Sequence, residues 1–166
     1  MSGFEAQRVK RNTVLVEVGE VCRYCYFIVT GCLKISTYNL NGDESTTSLA
    51  FEQDWRTVLG SFLHRQPSNE RIVAVEPTQL LRISRQQFQT FSTEIPDFQQ
   101  IYQQVLEESY AKSVQRVQTL MGLDAMDRLR YLLRERPLIF TRLSNRLIAS
   151  YLGLSESTLS RLKAKL

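Results

Sequence analysis

The apolar positions change their period once along this chain, near Pro96, and the change separates two textures. Before it, short runs rich in Val, Ile, Phe, Tyr and Thr alternate with turn residues, a pattern that predicts half-buried strands. "NTVLVEVGE" ends at Gly19-Glu20, "YCYFIVTGCLKISTYN" breaks at Thr30-Gly31, and "NLNGDES" supplies an Asn41-Gly42-Asp43 hairpin turn. "STTSLAF" continues as a strand, and "NERIVAVEPTQLLRISRQQF" holds two more, joined at Glu76-Pro77-Thr78. Residues 9–90 therefore predict an all-β unit, a small sandwich or barrel rather than a parallel sheet.

After Pro96 the spacing becomes helical. Residues 97–121, "DFQQIYQQVLEESYAKSVQRVQTLM", lack Gly and Pro and predict one helix of about six to seven turns, with Asp97 as its N-cap. Phe98, Ile101, Tyr102, Val105, Leu106, Arg116, Val117 and Leu120 mark its stripe, which Ser109, Lys112 and Ser113 interrupt. Such a helix either lies on its own β-unit or pairs with its copy in a second chain, and its opposed apolar edges favour pairing. Gly122 ends it. "LDAMDRLRYLLRERP" (123–137) predicts an amphipathic helix stopped by Pro137, and "LIFTRLS" (138–144) predicts an extended connector.

The last stretch, "LIASYLGLSESTLSRLKAKL", carries two helical runs around Gly153. A helix-turn-helix needs a small residue where its helices cross, and Ala149 supplies it; Gly153, four residues later, tolerates the positive φ of the turn. Leu147, Ile148, Leu152, Leu154, Leu159 and Leu162 are in phase to plug the angle, and Ser155 is an N-cap for the second helix. The outer face of that helix carries Glu156, Ser157, Ser160, Arg161, Lys163 and Lys165. In a major groove, Arg161 suits a bidentate contact to guanine and Glu156 suits cytosine N4, while Ser157 and Ser160 let the backbone approach. Ser155, Thr158, Lys163 and Lys165, with Arg142, Ser144 and Asn145, would fix register on phosphates. The plain alternative is a terminal amphipathic helix with a solvated charged face.

Charge supports the first reading. The net charge of +4 and pI near 9.1 suit a polyanion only mildly, but in residues 122–166 nine basic residues face four acidic ones. Apolar runs are too short to span a bilayer, so no membrane segment and a cytoplasmic location are expected. Cys22 and Cys25 have C-x-x-C spacing, but on a strand residues three apart face opposite sides, and no His lies nearby; buried small hydrophobes are the expected role, with no metal and no cofactor. The single His64 has no nucleophile or acid at a meaningful offset, and the chain is not expected to be an enzyme. Trp55, with Phe51, Leu59 and Phe62, either lines a small apolar ligand cavity, with Ser61, Ser68 and Asn69 as its polar residues, or is core.

A β-unit, a long helix and a terminal helix-turn-helix, in that order, resemble the Crp/Fnr family of bacterial transcription regulators. The pieces that carry the likeness are "VLVEVGEVCRYCYFIVTGCLKIS", with Gly19-Glu20 and Gly31, and "IASYLGLSESTLSRLK". The resemblance implies an α+β fold: an N-terminal antiparallel, jelly-roll-like β-roll of the cyclic-nucleotide-binding kind (1–96), a long dimerisation helix (97–121), and a C-terminal helix-turn-helix of winged-helix type (122–166). It further implies a homodimer on near-palindromic double-stranded DNA, with Arg161 reading guanine. An effector in the roll would act by shifting the pairing of the long helix.

The departures from the family are specific. Nucleotide-binding members carry a Gly-Glu pair, whose Glu holds the ribose, and an Arg about ten residues later that neutralises the phosphate. Aligned through "LLRIS", these positions fall on Val58 and on Ser68, followed by Asn69, which makes the phosphate cassette degenerate. A buried phosphodiester without its counter-charge is costly, so no tight cyclic AMP or cyclic GMP binding is expected unless Arg65 or Arg71 swings in. The effector, if any, is an unidentified small molecule, neutral or apolar rather than phosphorylated. The oxygen-sensing branch carries cysteines ahead of the roll, whereas these lie inside it. Family members usually add a wing hairpin after the reader helix, where the sequence given ends; the wing is disordered, removed or lacking in this version, and phosphate contacts would then be fewer. The rival reading is a β-roll that binds a ligand or partner while its helical tail does not bind DNA specifically.

Overall fold

In the computed structural model, which describes residues 3–166, the chain divides into two compact units at Gln103/Gln104. The first holds β1 (Glu5–Val9), β2 (Val14–Val16), β3 (Tyr24–Thr30), β4 (Leu33–Tyr38), β5 (Glu44–Ala50), β6 (Trp55–Arg56), α1 (Leu59–His64), β7 (Arg71–Ala74), β8 (Thr78–Ser84) and α2 (Arg85–Glu94). Helix α3 (Pro96–Gly122) starts in this unit and ends in the second, which continues with α4 (Ala125–Glu135), α5 (Ile139–Arg142), α6 (Asn145–Leu152) and α7 (Glu156–Lys163). Among the described residues no helix is long and apolar enough to cross a membrane.

Two four-stranded sheets, β1-β8-β3-β6 and β2-β7-β4-β5, face each other, and every strand pairing is antiparallel. The fold is the expected α+β arrangement of an antiparallel roll followed by helices. Alternation along β3 explains the layering: Tyr26 and Ile28 are buried in the core with Leu33, Ile35, Ile72, Leu80 and Phe62. Each such aliphatic side chain contributes roughly 1.5–3 kcal/mol by leaving water. Phe27, on the opposite face of β3, meets the Trp55 ring at 5.0 Å. From Trp55 a run of aromatic contacts continues through Phe4 (5.9 Å), Phe91 (5.9 Å) and Phe98 (5.7 Å). It ends on Phe88, which also touches Phe62 (5.5 Å) and Tyr102 (5.0 Å). This run seats α2 and the first turns of α3 on the roll.

Gly31 turns β3 into β4 at φ 110°, and a Cβ there would lie 2.4 Å from Thr78 Oγ1 and 2.8 Å from Thr78 Cα. Only glycine permits both the conformation and the approach.

The helical content exceeds what the periodicity suggested. Residues 85–94, expected to prolong a strand, form α2: the Ser84 hydroxyl accepts from Gln87 N at 3.2 Å, and Phe88 and Phe91, three apart, face the aromatic run. The stretch around His64 folds as α1, and 138–144 is not extended, because Ile139 and Leu143, four apart, are both buried when α5 forms. Asp97 lies inside the first turn of α3 rather than capping it. Pro96 takes the first helical position, where its missing N–H costs nothing.

An ionic cluster ties the second sheet together. Glu44 accepts from Lys34 Nζ at 2.8 Å and from the buried Ser36 Oγ at 2.6 Å, and Arg71 bridges Glu44 (3.6 Å) and Glu17 (2.9 Å). Burial pushes the Glu44 carboxyl up, but Lys34, Ser36 and Arg71 outweigh it and hold it below the usual carboxylate range. The Arg71 hydrogen bond does the same for Glu17. A depressed carboxylate contributes stability above its unfolded pKa of about 4.5 and loses that contribution as pH falls through the lower folded value. Urea unfolding between pH 6 and pH 3 is therefore expected to show a stability loss that Glu44→Gln flattens; identical pH profiles for the two proteins would refute the linkage.

Candidate nucleic-acid interface

The second unit is built around an apolar wedge. Leu129 and Leu132 of α4, Ile139 of α5, Ile148, Ala149 and Leu152 of α6, and Leu159 of α7 are all buried, while Leu147, Leu154 and Leu162 are partly so. Ala149 at 2% exposure sits where α6 and α7 pack. The Ser144 hydroxyl caps α6 by accepting from Leu147 N at 3.3 Å. Gly153 follows at φ 68°, ψ 35°, and its N–H points back to Ala149 and Ser150 carbonyls. Ser155 caps α7: its Oγ accepts from Thr158 N at 3.1 Å and lies 2.8 Å from Thr158 Oγ1.

With Leu159 inward, the opposite face of α7 is free. Ser155, Glu156, Ser157, Ser160, Arg161 and Lys165 are exposed, so most of the residues predicted to meet DNA lie on the surface. Two members of that set are placed differently. Thr158 is half-buried within the Ser155 cap and accepts from Arg161 Nη2 at 3.4 Å. Lys163 turns back: its ammonium donates to Asn145 Oδ1 at 3.0 Å and lies 4.0 Å from the Phe140 ring centroid. Lys163 therefore braces α7 against α5 and α6, because its long stem covers Phe140 when the helix packs.

The candidate ligand residues of the roll have different surroundings. Trp55 packs with Phe4 and Phe27, Phe62 belongs to the core between the sheets, and Leu59 and Asn69 are exposed. The two buried serines are both hydrogen-bonded to backbone groups. Ser61 Oγ accepts from Cys22 N at 2.8 Å and donates to Gln66 O at 2.5 Å. Ser68 Oγ donates to Glu70 O at 2.6 Å. Val58 is 5% exposed and packed in the core. Arg71 is held by Glu17 and Glu44, and Arg65 is the left-handed C-cap of α1.

Sequence reasoning passed over Arg56. Strand alternation sets it opposite Trp55, and its Nη2 donates to Ser48 Oγ at 3.1 Å. Burial raises the nearby Glu70 carboxyl above its ordinary range, and the charge of Arg56 draws it back. The cysteines behave as packing groups: Cys22 Sγ is 3.3 Å from the Tyr24 carbonyl oxygen, and burial pushes the Cys25 thiol up to about 12.

The geometry defines a class first: an antiparallel roll that seats a long helix, followed by a capped helix-turn-helix with a polar outer face. The profile of the cyclic nucleotide-binding domain family matches residues 6–94, and the chain belongs to that family. No curated protein matches the sequence. Among solved structures, FixK2 from Bradyrhizobium japonicum superposes with a TM-score of 0.84 at 18% identity, covering 98% of this chain and 84% of that one. The c-di-GMP responsive global regulator CLP from Xanthomonas campestris gives 0.79 at 18% identity, covering 99% and 86%. A transcriptional regulator of the CRP/FNR family from Thermus thermophilus gives 0.77 at 15% identity, covering 98% and 85%. The fold is thus that of the Crp/Fnr regulators.

Proposed function

We propose that this protein is a homodimeric, sequence-specific DNA-binding transcription regulator rather than an enzyme. In this reading residues 1–96 act as a sensor, 97–121 as the pairing helix and 122–166 as the DNA reader. The observation that carries it is α7: a capped helix anchored by Leu159, with Ser157, Ser160 and Arg161 exposed on the side away from its anchor. Arg161 reads guanine, Glu156 meets cytosine, and Ser155, Ser157, Ser160 and Lys165 line the approach to base edges and phosphates. Thr158 holds the cap and Lys163 the helix, so their contribution to binding is orientation and positive field. Cytoplasmic location follows from a DNA partner.

Pairing has its own support. Tyr110, Val114, Val117 and Met121 are exposed at 4-3-4 spacing, the spacing of a coiled-coil seam. The seam differs from the stripe drawn through Ser109 and Ser113; the apolar residues before it, Phe98 and Tyr102, face the roll instead. The two jobs considered for the long helix are thus divided along its length.

The roll is read as a sensor for an unidentified small molecule that is not a cyclic nucleotide. Val58 supplies no carboxylate for a ribose, and Ser68 supplies no cation for a phosphate. The rival, a binding module with an inert tail, differs in one measurable way: it does not need Arg161.

Arg161→Ala is expected to lower affinity for a selected duplex by about 1–3 kcal/mol, roughly fivefold to 150-fold, and to relax the base preference at one position of each half-site. Unaltered binding refutes the reader. Sedimentation of Val114→Glu is expected to show monomer at concentrations where the parent protein is dimeric, and an intact dimer removes the seam. Calorimetry with cyclic AMP and cyclic GMP is expected to give no binding at micromolar concentration; affinity in that range would overturn the argument from Val58 and Ser68.

A further inference from the structure

The last turn of any helix leaves four carbonyls without helical partners. In α6 these can be followed one by one. Ala149 O accepts from Leu154 N at 2.9 Å, and Ser150 O from Gly153 N at 3.1 Å. The remaining two are taken by side chains from other helices. Arg116 of α3 donates through Nη2 to Tyr151 O, and Arg128 of α4 donates through Nη1 to Leu152 O at 2.7 Å.

The arginine from α3 is held by more than that bond. Its guanidinium lies 3.8 Å from the centroid of the Tyr151 ring, so charge, stacking and donation act on one residue. Leu120 of the same helix reaches the turn as well: a Cβ on Gly153 would lie 3.7 Å from Leu120 Cδ2 and 3.3 Å from Arg128 Nη1. Beside it, Gln115 of α3 donates to the Tyr131 hydroxyl of α4. The contacts from Arg116, Leu120 and Gln115 cross the break between α3 and α4 around Gly122, whereas Arg128 ties α4 itself to the turn. Both arginines also place cationic groups at the negative end of the α6 dipole.

We propose that Arg116 and Arg128 form a latch on the turn of the helix-turn-helix, Arg116 fastening it to the C-terminal half of α3 and Arg128 to α4, so that this half-helix and the reader helix move as one body. Arg116 and Arg128 are positioning residues: they set the turn from which α7 departs and touch no base. The break at Gly122 is then a closed joint, and a displacement of the seam carrying Val114 and Val117 is transmitted to α7 without loss at that joint. The transmission to DNA rests on the reader function proposed above; the latch itself does not.

Hydrogen exchange by mass spectrometry on the full chain separates the two. Arg116→Ala and Arg128→Ala are each expected to raise exchange of peptides spanning 150–158 at least tenfold, leaving peptides of the roll unchanged. Arg116→Lys, a milder change that keeps the charge but not the stacked fork, is expected to raise it about threefold or more, and carries the test if an alanine variant fails to fold. Exchange within twofold of the parent protein in Arg116→Lys and either alanine variant overturns the latch. In duplex binding, Arg116→Ala is expected to lower affinity at least tenfold while leaving the salt dependence unchanged, because no phosphate contact is removed. An equal affinity overturns the transmission. A parent protein that binds no duplex overturns the reader function, and the exchange result still decides the latch.

Discussion

The close crossing of α6 and α7 is the constraint on which the rest of the second unit depends. Ala149 lets the helices approach, Leu152 and Leu159 are fully excluded from water in the angle, and Gly153 makes the turn in a conformation that would strain a side chain. Once that wedge is packed, the rotation of α7 about its axis is no longer free. Leu159 must point inward, and Ser157, Ser160 and Arg161 then face water. The polar surface of the helix is a consequence of apolar burial on its other side.

In the first unit, burial decides the surroundings of the two positions singled out in the sequence. A cyclic nucleotide-binding domain presents polar groups where this roll presents Val58, packed in the core, and Ser68, whose hydroxyl proton goes to the Glu70 carbonyl. Arg71, three residues beyond Ser68, is engaged by Glu17 and Glu44, where it links the end of β2 to β5 within one sheet. Each polar group is thus satisfied by the roll itself, which is the stable outcome for groups shielded from water. The strands and turns are those of the family, and at these two positions the side chains are engaged inside the roll.

Helix α3 shows how one element carries different environments along its length. Phe98 and Tyr102 meet the aromatic run, Tyr110, Val114, Val117 and Met121 are exposed apolar residues, and Arg116 with Leu120 faces the turn between α6 and α7. A stripe read from periodicity alone merges these three faces, because residues three and four apart share a side whatever that side touches. Arg116 was counted among the residues marking that stripe; it is a contact residue on Tyr151.

Local chemistry made much of this protein legible from its residues. Strand alternation, the Asn41-Gly42 turn and the Ala149-Gly153-Ser155 register each act over a few neighbours, and each appears in the structure. The helices missed in the sequence, α1, α2 and α5, are short, and tertiary contacts made by Phe62, Phe88, Phe91 and Ile139 decide them over weak local preference. Only the folded chain could decide where Trp55, Lys163 and the pair Arg116 and Arg128 would go. Their partners, Phe4, Phe140, Tyr151 and Leu152, lie 51, 23, 35 and 24 residues away in the chain. Contacts between residues so far apart are set by packing, which no window of sequence contains.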